Sequence, residues 1–240
     1  MKNEIMNLAK QFRLNVLKNG DFVINGKLSN EDFLLELLRS ESRFRDEKAT
    51  AERLKQAQFP SFKGFNDFDT DFQKGISANQ LETLEKLEWL DALFNLILIG
   101  PPGTGKTHLA LAIGNKAARE GFKVSFISMD NLVHVLKTAE ISRKSQTRIN
   151  WIRKCDLLII DELGFLPVSR IEANKFFSLI SELYEKTSVV ITSNKGFDGW
   201  AELLGDAVLA TALLDRLTHR CQILNLTGES YRLAHRQNVF

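Results

Sequence analysis

The clearest chemistry in the sequence lies in a glycine-rich segment near the middle of the chain, Gly100-Pro101-Pro102-Gly103-Thr104-Gly105-Lys106-Thr107. It matches the phosphate-binding pattern G-x-x-x-x-G-K-[ST] at every fixed position. Glycines let main-chain N–H groups turn onto phosphate oxygens, and a following helix adds its positive N-terminal end. Lys106 then reaches the β- and γ-phosphates, and the Thr107 hydroxyl holds Mg²⁺. The segment predicts a binding site for a nucleoside triphosphate. The next residue, His108, is a further candidate contact of that ligand.

Two acidic residues directly follow an apolar run, Leu157-Leu158-Ile159-Ile160. α/β sheets bind ligands at the carboxyl ends of their strands. We therefore expect Asp161 to hold Mg²⁺ together with Thr107, and Glu162 to polarise an attacking water. Two acids are also common at ordinary strand ends, but the phosphate-binding pattern earlier in the chain favours a hydrolase.

Two further polar residues follow apolar runs. Asn194 comes after Val189-Val190-Ile191-Thr192-Ser193 and could orient the water or touch the γ-phosphate, although Asn is also common in turns. Arg216 lies on a predicted apolar helix, from which it could stabilise the transferring phosphoryl group of a neighbouring subunit. A salt bridge to a nearby acid is the alternative for Arg216.

A basic segment covers residues 141–155, which contain no acid. Its five positive residues are Arg143, Lys144, Arg148, Arg153 and Lys154. Such a segment can neutralise DNA phosphates without reading bases, or it can be a solvated basic face. The net charge of +2 does not decide between them.

Apolar runs alternate with helical patterns from about residue 76 onward. Strands are predicted near 94–99, 123–127, 156–160, 188–193 and 221–226, and helices at 106–120, 130–138, 147–154, 170–186 and 206–218. This alternation is typical of an α/β fold with a five-stranded parallel sheet covered by helices on both faces.

The preceding residues predict a small helical domain at 1–60 and a linker at 61–75, ahead of a nucleotide-binding domain at 76–240. Ser29 and Asp32 fit the start of a helix that runs to about Gln58, where Pro60 stops it. Its charged stretch from residue 39 to 55 is either a solvated face or an arm that binds DNA or a partner. The linker phenylalanines are expected to pack onto the domain that follows.

Composition bounds the remaining possibilities. An apolar content of 44% suits a globular protein with a core. No apolar run approaches the roughly 18 residues of a membrane span, and the N-terminus lacks a secretory signal. We therefore expect a cytoplasmic protein that does not enter a membrane. Cys155 and Cys221 are interpreted as small buried apolar residues, and the histidine spacing matches no metal site.

Together these motifs resemble the AAA+ ATPases of the initiator and helicase-loader group, and most closely the IstB-like helper ATPases of bacterial insertion sequences. The resemblance covers nearly the whole chain. It is carried by Gln58-Phe59-Pro60, Phe65-Asn66-Asp67-Phe68, Gly100 to Ala110, Ile159-Ile160-Asp161-Glu162-Leu163-Gly164, Thr192-Ser193-Asn194, Leu214-Asp215-Arg216-Leu217 and Leu226-Thr227-Gly228-Glu229-Ser230-Tyr231-Arg232.

The resemblance implies an AAA+ P-loop ATPase that uses ATP and Mg²⁺. It also implies a protein that assembles with copies of itself on double-stranded target DNA and helps a transposase encoded by the same element. Asn194 then corresponds to the polar sensor of the family, and Arg216 to its trans-acting arginine finger.

The sequence departs from the family pattern at two points. Leu183 precedes Tyr184-Glu185 where many members carry arginine. Only residues 195–240 follow Asn194, so the usual C-terminal helical lid is not expected, and Arg232 is a weak substitute for an arginine on that lid.

Three other functions share the phosphate-binding pattern. A helicase loader of DNA replication would differ in its partner. A small-molecule kinase would need a lid over its acceptor, which the sequence does not show. A scaffold that binds ATP without cleaving it is disfavoured by Glu162.

Overall fold

The fold is described from a computed structural model of the chain for residues 2–19, 28–164 and 168–236. The chain divides into two compact units, at residues 1–52 and 53–240. The boundaries at residues 60 and 75, between the predicted helical domain, linker and nucleotide-binding domain, remain predictions.

The first unit is helical. It contains α1 (Lys2–Gln11), α2 (Asn15–Asn19) and most of α3 (Asn30–Ala57). Ser29 caps α3 as predicted, because its hydroxyl accepts the Asp32 N–H at 3.1 Å and donates to the Asp32 carboxylate at 2.6 Å. Burial acts to raise the pKa of Glu41, but hydrogen bonds from Val16 N–H and Arg45 hold that pKa below its ordinary value. The Glu41 carboxylate therefore ties α2 to α3 while it remains charged.

The second unit is built on a five-stranded parallel sheet. Its strands are β1 (Asn95–Ile99), β2 (Val124–Ser128), β3 (Leu157–Leu163), β4 (Ser188–Ser193) and β5 (Cys221–Asn225). They lie in the order β2-β3-β4-β1-β5. The α/β fold with five parallel strands is thus confirmed. Strand β3 continues three residues beyond its predicted end, because it pairs with β4 again at Leu163 after an irregularity in register.

Helices cover both faces of the sheet, as predicted. Side chains alternate along each strand, so Ile97 packs on one face while Leu96 and Leu98 pack on the other. The Leu96 face carries α4 (Ala78–Lys86), α5 (Glu88–Asp91) and α6 (Lys106–Arg119). The opposite face carries α7 (Met129–Thr138), α8 (Arg143–Ile152), α9 (Arg170–Leu183), α10 (Asp198–Leu204) and α11 (Ala207–Thr218).

Beyond β5 the described residues form one short helix, α12 (Tyr231–Ala234). No helix within residues 2–19, 28–164 and 168–236 is long and apolar enough to cross a membrane. Neither cysteine forms a disulfide, and burial raises the pKa of Cys155 to about 12, so this thiol stays neutral.

The linker packs on the nucleotide-binding unit, as predicted from its phenylalanines. Phe65, in a 3₁₀ turn (Phe65–Asp67), and Phe68 are buried in the core on the α6 face. Phe72 meets the Tyr231 ring edge-on at 5.3 Å between centroids. Phe62 stays 61% exposed, with the Arg119 guanidinium over its ring. The linker therefore forms one wall of the region where β1 ends.

Candidate functional site

The predicted phosphate loop connects the carboxyl end of β1 to the first residue of α6. Gly103 and Gly105 have φ angles of +84° and +88°, which side chains rarely adopt. A Cβ at Gly105 would lie 2.9 Å from the Phe68 ring, and one at Gly103 would overlap the Ser230 hydroxyl. Both positions therefore require glycine on steric as well as conformational grounds.

Lys106 is held inside this loop. Its ammonium donates to the carbonyl oxygens of Gly100 and Pro101, both at 2.7 Å. Burial lowers the Lys106 pKa, the Asp161 charge works against that shift, and Arg232 adds to it. The Lys106 ammonium thus lies among main-chain carbonyls, beside the turn whose N–H groups would face phosphate.

Asp161 lies in the buried part of β3 and is 6% exposed. Its Oδ1 accepts hydrogen bonds from the hydroxyls of Thr107 at 2.9 Å and Thr192 at 2.5 Å. The structure therefore brings together the two predicted metal ligands, Thr107 and Asp161. Hydroxyl and carboxylate oxygens suit Mg²⁺, which takes few protein ligands and completes its shell with water and phosphate.

Glu162 adopts a left-handed backbone conformation, with φ of +64°. This conformation costs about 1 to 2 kcal/mol in a residue with a side chain. The Glu162 N–H donates to the Thr192 hydroxyl at 2.9 Å, which holds the turn in place. The exposed Glu162 side chain consequently lines the same cleft as Lys106 and Thr107.

Thr192 is a site residue that motif reasoning left without a role of its own. Its hydroxyl donates to the Asp161 carboxylate and accepts the Glu162 N–H, so one group orients both acids. A hydroxyl residue directly after the apolar run Val189-Val190-Ile191 was the sequence signal for it. Register cannot be read from a single strand, so the contact with β3 was not predictable.

Asn194 also lines the cleft, beyond the end of β4. Its side-chain oxygen is buried and has no hydrogen-bond partner among the described residues. Gly164 allows this approach, since a Cβ there would lie 2.8 Å from that oxygen. The buried acceptor agrees with a residue that receives a hydrogen bond from a ligand or water.

The other wall of the cleft comes from the linker and from the segment that ends in α12. His108 contacts the Gly64 carbonyl at 3.2 Å and the Phe68 ring edge-on, and burial lowers its pKa. Tyr231 N–H donates to the Gly103 carbonyl at 3.0 Å, and Arg232 lines the cleft beside it. The sequence motifs had assigned no role in the site to Phe68 or Tyr231.

The resulting cleft has a volume of about 840 Å³. It contains the Lys106 ammonium for phosphates, its Thr107–Asp161 pair offers oxygen ligands for Mg²⁺, and the unpaired Asn194 oxygen offers an acceptor. The residues therefore fit a magnesium–nucleotide complex. No cluster of three or more His, Cys, Asp or Glu that could cage a metal occurs in the described parts of the chain.

Arg216 lies away from this cleft, near the C-terminal end of α11. Its guanidinium donates to the Ala212 carbonyl at 3.1 Å and lies 4.6 Å from the centre of the Phe177 ring. The carbonyl of the adjacent Leu217 accepts a hydrogen bond from the side chain of Asn95, the first residue of β1. The phosphate loop instead follows Ile99, the last residue of β1. The two ends of β1 are four residue steps apart, which at about 3.3 Å per residue is roughly 13 Å.

The basic segment is less uniform than its sequence indicates. Arg143 and Lys144 are exposed in the first turn of α8, and Lys154 is exposed beyond its end. Arg153 pairs with Glu182 at 2.7 Å. Arg148 points inward to the carbonyls of Gln56 and Phe126, at 3.3 and 2.6 Å, and burial lowers its pKa. The expectation of five solvent-facing charges is therefore corrected for Arg148.

The fold is similar to those of several solved structures. The crystal structure of DnaI superposes with a TM-score of 0.58 at 21% identity, covering 69% of this chain and 91% of that one. The DnaC helicase loader gives a TM-score of 0.54 at 18% identity, covering 68% of this chain and 96% of the other. At these identities the likeness shows a shared P-loop α/β fold.

Sequence comparison gives a more specific relationship. An insertion sequence IS21 putative ATP-binding protein of Pseudomonas aeruginosa is 43% identical over 213 residues, covering 89% of this chain and 80% of the relative. An IS5376 putative ATP-binding protein of Geobacillus stearothermophilus is 35% identical, covering 99% and 96%. Residues 15–239 match the family described as IstB-like ATP binding protein. The chain belongs to the IstB-like ATP-binding family of insertion-sequence proteins.

Proposed function

We propose that this protein hydrolyses ATP and, with ATP bound, assembles on double-stranded DNA to assist the transposase of its insertion sequence. The observation that carries the proposal is the linked arrangement of Thr107, Asp161, Thr192 and Glu162. It combines a place for Mg²⁺ with a separate carboxylate that faces the cleft. A protein that only bound ATP would not need the second carboxylate.

The proposed hydrolysis assigns one task to each side chain. Loop N–H groups and Lys106 would hold the triphosphate, while Thr107 and Asp161 would hold Mg²⁺, which would supply positive charge beside the phosphate oxygens. Glu162 accepts a proton from water as the water oxygen bonds to the γ-phosphorus. The bond to the bridging oxygen then breaks and its electron pair leaves with ADP. Asn194 accepts a hydrogen bond from the attacking water and so orients it.

Arg216 is proposed to act on the site of a neighbouring subunit. Arg216 lies at the end of the strands opposite the cleft and cannot reach the cleft of its own chain, which supports this role. An arginine at that place neutralises charge on the phosphoryl group only when two subunits meet. Hydrolysis would thereby depend on assembly.

DNA contact is proposed for the exposed charges of the basic segment, Arg143, Lys144 and Lys154, with Arg153 available if its pair with Glu182 opens. Exposed lysines and arginines bind phosphates through released counterions and give little sequence preference. This agrees with a helper that assembles on varied targets. Insertion-sequence names among the relatives support transposition over helicase loading.

The test is phosphate release from ATP with no other phosphate acceptor, with and without duplex DNA. Glu162→Gln should bind ATP normally and lose at least about a hundredfold in turnover, since the proton acceptor is removed. Lys106→Ala should instead lose ATP binding. Release that needs a small-molecule acceptor would identify a kinase, and unchanged turnover in Glu162→Gln would refute the assigned base.

A further inference from the structure

Gln73 is a buried polar residue that the hydrolysis mechanism leaves unused. It is 3% exposed, and neither atom of its side-chain amide has a hydrogen-bond partner among the described residues. Its main-chain N–H donates to the Asp69 carbonyl at 3.1 Å. Burying an amide without partners costs free energy, so such a group calls for a ligand that would satisfy it.

The Gln73 side chain lies at a defined place in the nucleotide cleft. It lines the cleft together with Phe68 and Tyr231. Its Cγ is 3.9 Å from where a Cβ of Gly105 would stand, and its Oε1 is 4.0 Å from the equivalent point at Gly228. It is therefore beside the phosphate loop, on the wall formed by the linker and the segment that leads to α12.

This wall is where the base of a bound nucleotide would lie. Asp161, Glu162 and Asn194 surround the end of the cleft where the terminal phosphate is cleaved. The rest of the nucleotide must extend away from them, past the phosphate loop. Phe68 and the Tyr231 ring provide flat apolar surfaces there, which suit a planar base.

A glutamine amide offers one donor and one acceptor on the same planar group. Adenine offers the complementary pair, a ring nitrogen that accepts and a 6-amino group that donates. We propose that the Gln73 amide is the specificity-determining group that reads the edge of the adenine base. The inference rests on the nucleotide binding proposed above and adds the group that selects the base.

The test compares Gln73→Leu with the parent protein by ATP affinity and by thermal unfolding. Leucine has a similar volume and no polar atoms, so it removes both hydrogen bonds. ATP affinity should fall about a hundredfold, since two buried hydrogen bonds are lost and each is worth about tenfold. Stability without nucleotide should be unchanged or higher, because an unpaired buried amide is removed. Lower stability with unchanged ATP affinity would mean that Gln73 is structural.

Two further ligands distinguish the contribution of the base to binding from that of the phosphates. Inorganic tripolyphosphate has no base, so Gln73→Leu should bind it as the parent does. Purine riboside triphosphate lacks the 6-amino group, so the parent should prefer ATP over it by about tenfold while the variant binds both equally. An undiminished preference in the variant would overturn the assignment. Failure of the parent to bind ATP at all would instead refute the proposed nucleotide site.

Discussion

Single hydroxyl groups hold the two acids of the cleft, Asp161 and Glu162, in place. Thr107 fixes one oxygen of Asp161, and Thr192 bonds both that oxygen and the N–H of the strained Glu162. The left-handed turn at Glu162 persists because this hydrogen bond holds it. The arrangement of both acids therefore depends on Thr192, which has no direct role in the proposed chemistry.

The role of Thr192 can be measured with a matched pair of substitutions. Thr192→Val keeps the shape but removes the hydroxyl, so turnover of ATP should fall about tenfold or more while ATP affinity changes little. Thr192→Ser keeps the hydroxyl and should retain most of the turnover. Equal loss in both variants, measured by phosphate release and equilibrium binding, would show that packing rather than hydrogen bonding matters.

At the scale of elements, an ion pair joins the two helices α7 and α9. Glu172 belongs to the capping box that starts α9, and its carboxylate also pairs with Lys137 of α7 at 2.8 Å. The hydrogen bond from Lys137, followed by those from Ser169, lowers the pKa of Glu172 to about 2. The carboxylate is charged in the folded protein over nearly the whole usable pH range.

This pKa predicts a pH-dependent contribution to stability. Glu172→Gln should lower the free energy of unfolding by about 1 kcal/mol at pH 7. A folded pKa below the unfolded value near 4.3 means that the contribution is full above pH 4.3 and fades as pH falls toward 2. Urea midpoints at pH 7 and pH 3 measure it. The exposed Glu82, changed likewise, should have little effect; an equal deficit at both pH values would contradict the prediction.

The strands, the phosphate loop and the two acids were predictable because each depends on residues close together in the chain. Four short helices, α4, α5, α10 and α12, escaped prediction, because at nine residues or fewer they show little periodicity. The inward turn of Arg148 and the position of Gln73 depend on segments far away in sequence. Such contacts follow from packing, which no local pattern contains.

At the scale of the whole molecule, the candidate nucleotide cleft and Arg216 lie at opposite ends of the strands. This separation predicts that two inactive variants complement each other. Arg216→Ala retains Glu162, and Glu162→Gln retains Arg216, so a mixed assembly contains some complete sites. Each variant alone should be nearly inactive, and the mixture should regain a measurable part of the DNA-stimulated phosphate release. A mixture that stays inactive would argue against a shared site.

The proposed DNA contact of the basic segment gives a second prediction at this scale. Removing the two exposed charges of Arg143 and Lys144 should reduce the slope of log affinity against log salt by about two. Lys86→Ala, which removes a charge already paired with Glu82, serves as the control and should leave the slope nearly unchanged. Equal slopes for the double variant and the parent protein, measured by fluorescence anisotropy on duplex DNA, would exclude this segment.

The central claim is that ATP controls assembly on DNA, and sizing by sedimentation tests it most directly. The protein is mixed with duplex DNA, with and without a slowly hydrolysed ATP analogue, alongside Lys106→Ala. We predict a large protein–DNA complex only for the parent protein with the analogue. A complex of the same size without nucleotide, or with Lys106→Ala, would contradict the account.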